Sequence, residues 1–90
     1  IKNLLEFKNL VKLNLKDNSI TDDGVKLISG LENLEVLNLI GTSITEKSFY
    51  AFEAFKNLKR IYLWRSGVKN DQIKSFNLKQ NKVTLIGSVN

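Results

Sequence analysis

The residues best equipped for chemistry stand together in Arg60-Ile61-Tyr62-Leu63-Trp64-Arg65, which holds both arginines and the single tryptophan of the chain. Trp, Tyr and Arg are the residue types enriched at binding hot spots, because each joins a large contact area to a polar or charged tip. Strict alternation with Ile61 and Leu63 turns Arg60, Tyr62 and Trp64 to one side of an extended segment and the aliphatic pair to the other. The chemistry this offers is non-covalent: docking a protein partner or an adjacent domain of the same chain. Simply covering the surface beneath is the alternative use of the two rings. A sugar stacked on Trp64 has only one aromatic to argue for it. Backbone phosphates held by Arg60, Arg65 and Lys82 beside stacked bases would suit the residue types, but the remaining positive charge is spread along the chain rather than gathered, which weighs against nucleic acid.

Catalysis has little to build on. The chain contains no His and no Cys, so the commonest general base, the commonest transition-metal ligand, thiolate nucleophiles and disulfides are all missing. Asp22-Asp23 is the only adjacent carboxylate pair, and a helix start accounts for it, since acidic side chains favour the positive end of the helix dipole. Asp17-Asn18 and Asp22-Asp23 supply too few converging oxygens for calcium. Phosphate-binding glycine loops and nucleophile elbows are absent. The expectation is a non-enzymatic chain without cofactor or metal. Lys and Arg number 14 against 9 Asp and Glu, a net charge of +5 that a solvated lysine-rich surface explains. No run of apolar residues is long enough to cross a membrane as a helix.

The elements that must hold the aromatic stretch are written repeatedly. Leu10, Leu13, Leu15 and Ile20 return 24 residues later as Leu34, Leu37, Leu39 and Ile44, and again as Leu58, Ile61, Leu63 and Val68. A fixed period of this size is the signature of a stacked repeat. Within each copy, alternating residues predict a short half-buried strand. Asn18, Thr42 and Ser66 then stand where a side chain closes the turn on nearby backbone, with Thr42 expected to do so more weakly than Asn18.

Helical stripes follow. Thr21 is the expected N-cap of a short helix presenting Val25, Ile28 and Leu31, shortened by Gly24 and Gly30. Thr45 to Ser48 opens a second helix whose Phe49, Phe52 and Phe55 promise the largest apolar burial in the chain. Lys69 to Gln72 opens a weak third one with Ile73 and Phe76. The last strand, Lys82 to Ile86, is placed 22 residues after the preceding one, as a shortened final copy with a poorly protected edge.

The pattern Leu-x-x-Leu-x-Leu-x-x-(Asn/Thr/Ser)-x-(Ile/Val), followed by Thr or Lys and then an acidic residue or Asn, resembles the leucine-rich repeat family across essentially the whole chain. The resemblance implies an α/β solenoid of three to four repeats, with short parallel strands on a concave face and short helices on a convex one. The tail from Leu58 onward looks like the C-terminal repeats of certain bacterial proteins of the Bacteroidetes and Planctomycetes. Some of those carry membrane and cytochrome c-type domains as well. That likeness implies an interaction module of the periplasm or cell surface. Residues 1–90 read as one domain. Ile1, Leu4 and Phe7 match the helical positions Val25, Ile28 and Leu31, so further repeats or another domain are expected to precede it in a longer protein.

On the concave face the expected rows are Lys12, Val36, Arg60 and Lys82; Asn14, Asn38, Tyr62 and Thr84; and Lys16, Ile40, Trp64 and Ile86. The binding patch expected from them is Ile40, Arg60, Tyr62, Trp64, Arg65, Lys82 and Ile86. Its alternative is a terminal cap or spacer of a multidomain protein with no ligand of its own.

Overall fold

The computed structural model describes residues 7–87, so the expected helical match of Ile1 and Leu4 lies outside the described residues. Four three-residue strands alternate with helical segments: β1 (Lys12–Asn14), α1 (Asp22–Ile28), β2 (Val36–Asn38), α2 (Phe49–Ala54), β3 (Arg60–Tyr62), α3 (Asn70–Lys79) and β4 (Thr84–Ile86). A 3-10 turn, Glu46–Ser48, runs into α2. The strands form one parallel sheet in sequence order. Each connection is an α crossover, which parallel neighbours require. Leu13, Leu37, Ile61 and Leu85 pair in one register and turn to the core.

Leu34, Leu37, Leu39, Ile44, Phe52, Phe55, Ile61 and Leu63 are wholly buried and make the middle of that core. In the Phe-rich repeat, Phe52 and Phe55 are fully enclosed, while Phe49 is half-buried and packs against the core. Phe49 lies 4.9 Å from Phe76 of α3, ring centre to ring centre, and so ties the second repeat to the third. The turn residues differ from expectation in rank. The Thr42 hydroxyl donates to the Leu39 carbonyl at 2.7 Å and is buried, whereas the exposed Asn18 amide reaches the Lys16 carbonyl only at 3.4 Å. Asparagines one repeat apart add a second ladder: Asn33 donates to the Lys8 carbonyl and Asn57 to that of Glu32, each at 2.7 Å.

Three expectations about the last repeat are corrected. α3 is not weak; at 10 residues it is the longest helix among the described residues. β4 follows β3 by 24 residues, not 22: Arg60 pairs with Thr84, Ile61 with Leu85 and Tyr62 with Ile86. A two-residue shift leaves every side chain on its original face, so alternation cannot separate the two registers. Nor is the outer edge of β4 unprotected. Asn77 grips both backbone groups of Leu85 at 2.9 Å, accepting from its N–H and donating to its carbonyl. Gln80 does the same to Val83 at 2.9 and 2.7 Å. Two side-chain amides of the α3 segment thus occupy the hydrogen-bonding groups a fifth strand would need. The β1 end is different: Leu10, Leu13 and Leu15 are only partly buried, and Phe7 and Val11 are exposed.

Candidate functional site

The aromatic stretch occupies β3 and the residues just after it. Tyr62 and Trp64 are both half-buried and meet edge to face, ring centres 6.0 Å apart at 87°. Such T-shaped contacts set the positive edge of one ring against the negative face of the other. The ladder continues beyond the formal strands: Leu39 donates to the Tyr62 carbonyl at 2.9 Å, and Gly41 to that of Trp64 at 3.2 Å.

The rows are those expected for three strands and change at the fourth. Arg60 stands between Val36 and Thr84, and Tyr62 between Asn38 and Ile86. Ile86, half-buried, is therefore the neighbour of Tyr62 rather than of Trp64. Lys82 precedes β4 and leaves its expected place beside Arg60; its ammonium donates to the Glu53 carbonyl just before the end of α2, at 3.3 Å. Ile40 is 5% exposed and offers little contact surface. The structure thus brings Arg60, Tyr62, Trp64 and Ile86 together and sets Lys82 apart.

Arg65 turns out of the row. It has φ of 57°, matching Asp17 at 60° and Gly41 at 69°, three left-handed residues at one position of successive repeats. Its guanidinium lies 3.6 Å from the Asp17 carboxylate, two repeats away. Glycine in the middle makes that reach possible, since a Cβ on Gly41 would overlap Asp17 Oδ1 and lie 3.2 Å from its Cγ.

The middle row also explains why the patch begins at β3. Asn14 Oδ1 accepts from Lys16 N–H at 2.9 Å, and Asn38 Oδ1 accepts from Ile40 N–H at 3.0 Å. Both carbonyl oxygens are committed to their own backbone. Tyr62 replaces the asparagine in the third repeat, and free ring surface appears there.

Sequence reasoning missed a second polar node. Thr21 makes no side-chain cap. Asp22 instead reaches into the next repeat, accepting from Thr45 N–H at 2.9 Å, the Thr45 hydroxyl at 2.7 Å and the Ser48 hydroxyl at 2.5 Å. Burial pushes the Asp22 carboxyl up; hydrogen bonds from Ser48 and from the Thr45 backbone and hydroxyl, with the Lys47 charge, outweigh it and hold the group below its ordinary 3.8. The available signal was the 24-residue offset placing Thr45 above Thr21, so that a residue beside one cap could serve the next. Among the described residues no three His, Cys, Asp or Glu side chains gather as a metal site, and no helix is long and apolar enough to cross a membrane.

A parallel sheet with one helical segment per strand, repeating every 24 residues and presenting an open sheet face, defines an α/β solenoid of the kind that binds by surface. The leucine rich repeat family model matches residues 8–68, and the chain belongs to that family. Its members generally mediate protein–protein interaction and are typically non-catalytic. No curated protein and no solved structure matches the chain.

Proposed function

We propose that this chain is a protein-interaction module that binds through the concave face around Tyr62 and Trp64. The observation that carries the reading is the half-exposed, edge-to-face Tyr62–Trp64 pair at the end of β3, with Arg60 and Ile86 on adjoining positions. Aromatic anchors already packed against each other lose little freedom on binding, which favours affinity. Replacing Tyr62 and Trp64 together with Ala removes the ring–ring contact, worth about 0.5–1.5 kcal/mol, and the half-burial of each ring, worth about 1 kcal/mol apiece, while every wholly buried leucine and phenylalanine stays in place. The variant therefore keeps its circular dichroism spectrum while losing partner capture by the immobilised chain. Undiminished capture would exclude this patch.

A second reading draws support from the β4 end of the sheet: the domain is a terminal cap or spacer of a multidomain protein, without a ligand of its own. The outer edge of β4 is filled by Asn77 and Gln80, as an end that takes no further strand would be. Under the purely structural version, removing residues 58–90 from the longer protein lowers its melting temperature, and the aromatic double substitution is silent. The placement in the periplasm or at the cell surface stays part of this proposal and is tested by fractionation.

A further inference from the structure

We infer that the partner of the concave face is an acidic, partly apolar polypeptide segment; this rests on the concave-face reading above and adds its chemistry. The three rows carry Lys12, Lys16 and Arg60, all exposed, and not one carboxylate. The acidic residues at the margins are already matched, Glu35 to Lys59 and Asp17 to Arg65, each at 3.6 Å. Among the described residues no carboxylate pairs with Lys12, Lys16 or Arg60. Among the described residues the face therefore presents positive charge without a paired carboxylate beside an apolar patch of Tyr62, Trp64 and Ile86.

Geometry narrows the ligand. Lys12 and Arg60 share a row two strands apart, about 10 Å at the usual strand spacing. An extended polypeptide covers that distance in about three residues, so two carboxylates so spaced reach both cations. Lys16 lies in the row of Trp64, so an apolar side chain on the same segment meets the rings while a further carboxylate meets Lys16. A nucleic acid strand fits less well. Base stacking needs open ring faces, and here one ring spends its face on the edge of the other.

Trp64 is the only tryptophan, so its fluorescence reads the site directly. The intact chain is titrated with a short synthetic peptide of Asp, Glu and Leu, its Asn, Gln and Leu counterpart, a Lys and Leu counterpart, and a single-stranded oligonucleotide. The acidic peptide is expected to bind about tenfold tighter than the neutral one and to lose about tenfold between ~0.05 and ~0.5 M NaCl. Lys12→Glu with Arg60→Glu, and the milder Lys12→Gln with Arg60→Gln, remove that preference while the fold persists by circular dichroism. Equal binding of acidic and neutral peptides overturns the acidic assignment but leaves the concave face standing. Stronger binding of the oligonucleotide overturns it in favour of a nucleic acid. Absence of any peptide response overturns it too, and the concave reading falls with it only if the Tyr62 and Trp64 double substitution is also silent in capture.

Discussion

Replacing Asp22 tests whether neighbouring repeats are joined by polar ties as well as by the leucine core. Its carboxylate accepts three hydrogen bonds from the repeat above, and the Ser48 hydroxyl among them is 1% exposed. Asp22→Ala leaves that hydroxyl and the Thr45 N–H without their acceptor, at about 1–3 kcal/mol for each group fully shut off from water. Asp22 is half-buried, so solvent recovers part of this, and the expected loss is about 2–3 kcal/mol. For a domain of this size that lowers the melting temperature by roughly 10–20 °C. Asp22→Asn keeps one acceptor oxygen but loses the charge, and charge-assisted bonds are about twice as strong as neutral ones; its expected cost is about 1 kcal/mol. The depressed folded-state pKa gives the sign of the pH dependence: the unfolded chain takes up the proton more readily, so the contribution is present above the ordinary aspartate value of 3.8 and is lost as pH falls through the lower folded value. Urea unfolding from pH 7 to pH 2 should show a constant gap between parent and Asp22→Asn down to about pH 5, closing in stronger acid. A gap that persists unchanged in acid, or an Asp22→Ala loss no larger than that of an Asp23→Ala control, refutes the reasoning.

Two other expectations concern departures from the repeat. Gly41→Ala forces a Cβ into a left-handed position beside Asp17, so thermal unfolding should show about 1 kcal/mol lost; an Asp17→Ala background, which removes the obstructing carboxylate, should recover part of it. Asn77→Ala should expose the backbone of Leu85 to exchange and cost about 1–3 kcal/mol in chemical unfolding, with faster hydrogen exchange confined first to β4.

The architecture was legible because a solenoid states its spacing several times. Leu13, Leu37 and Ile61 fix strand, face and register together, and each copy checks the others. Legibility failed where only one copy exists. The alternation of β4 fits a shift of 22 as well as 24; Asn77 and Gln80 add the constraint, and their role depends on a helix lying beside a strand edge. Arg60, Tyr62 and Trp64 were placed on the right face by alternation alone. Ile40 and Lys82 were not, for different reasons. Alternation gives the side on which Ile40 sits but not the depth to which its neighbours cover it, and Lys82 inherited the error in the β4 register.

The departures from the repeat also bear on the binding proposed for this face. A repeat strand offers the same surface in every copy, and in the first two copies the middle of that surface is spent: Asn14 and Asn38 hold their own backbone turns. This fixes the strand backbone without leaving those acceptors to a partner. In the third copy Tyr62 and Trp64 stand on the frame fixed by the first two. The Arg65–Asp17 pair crosses the same rim over Gly41, linking the end of the aromatic strand to the first repeat. An exposed ion pair contributes little to stability, about 0–1 kcal/mol. Under the proposed function its better use is to neutralise Asp17, because an unpaired carboxylate there would repel the acidic segment proposed to dock on Lys12, Lys16 and Arg60. On that reasoning Arg65→Ala should weaken acidic-peptide binding while barely changing the melting temperature, and Asp17→Ala in the same chain should restore the binding.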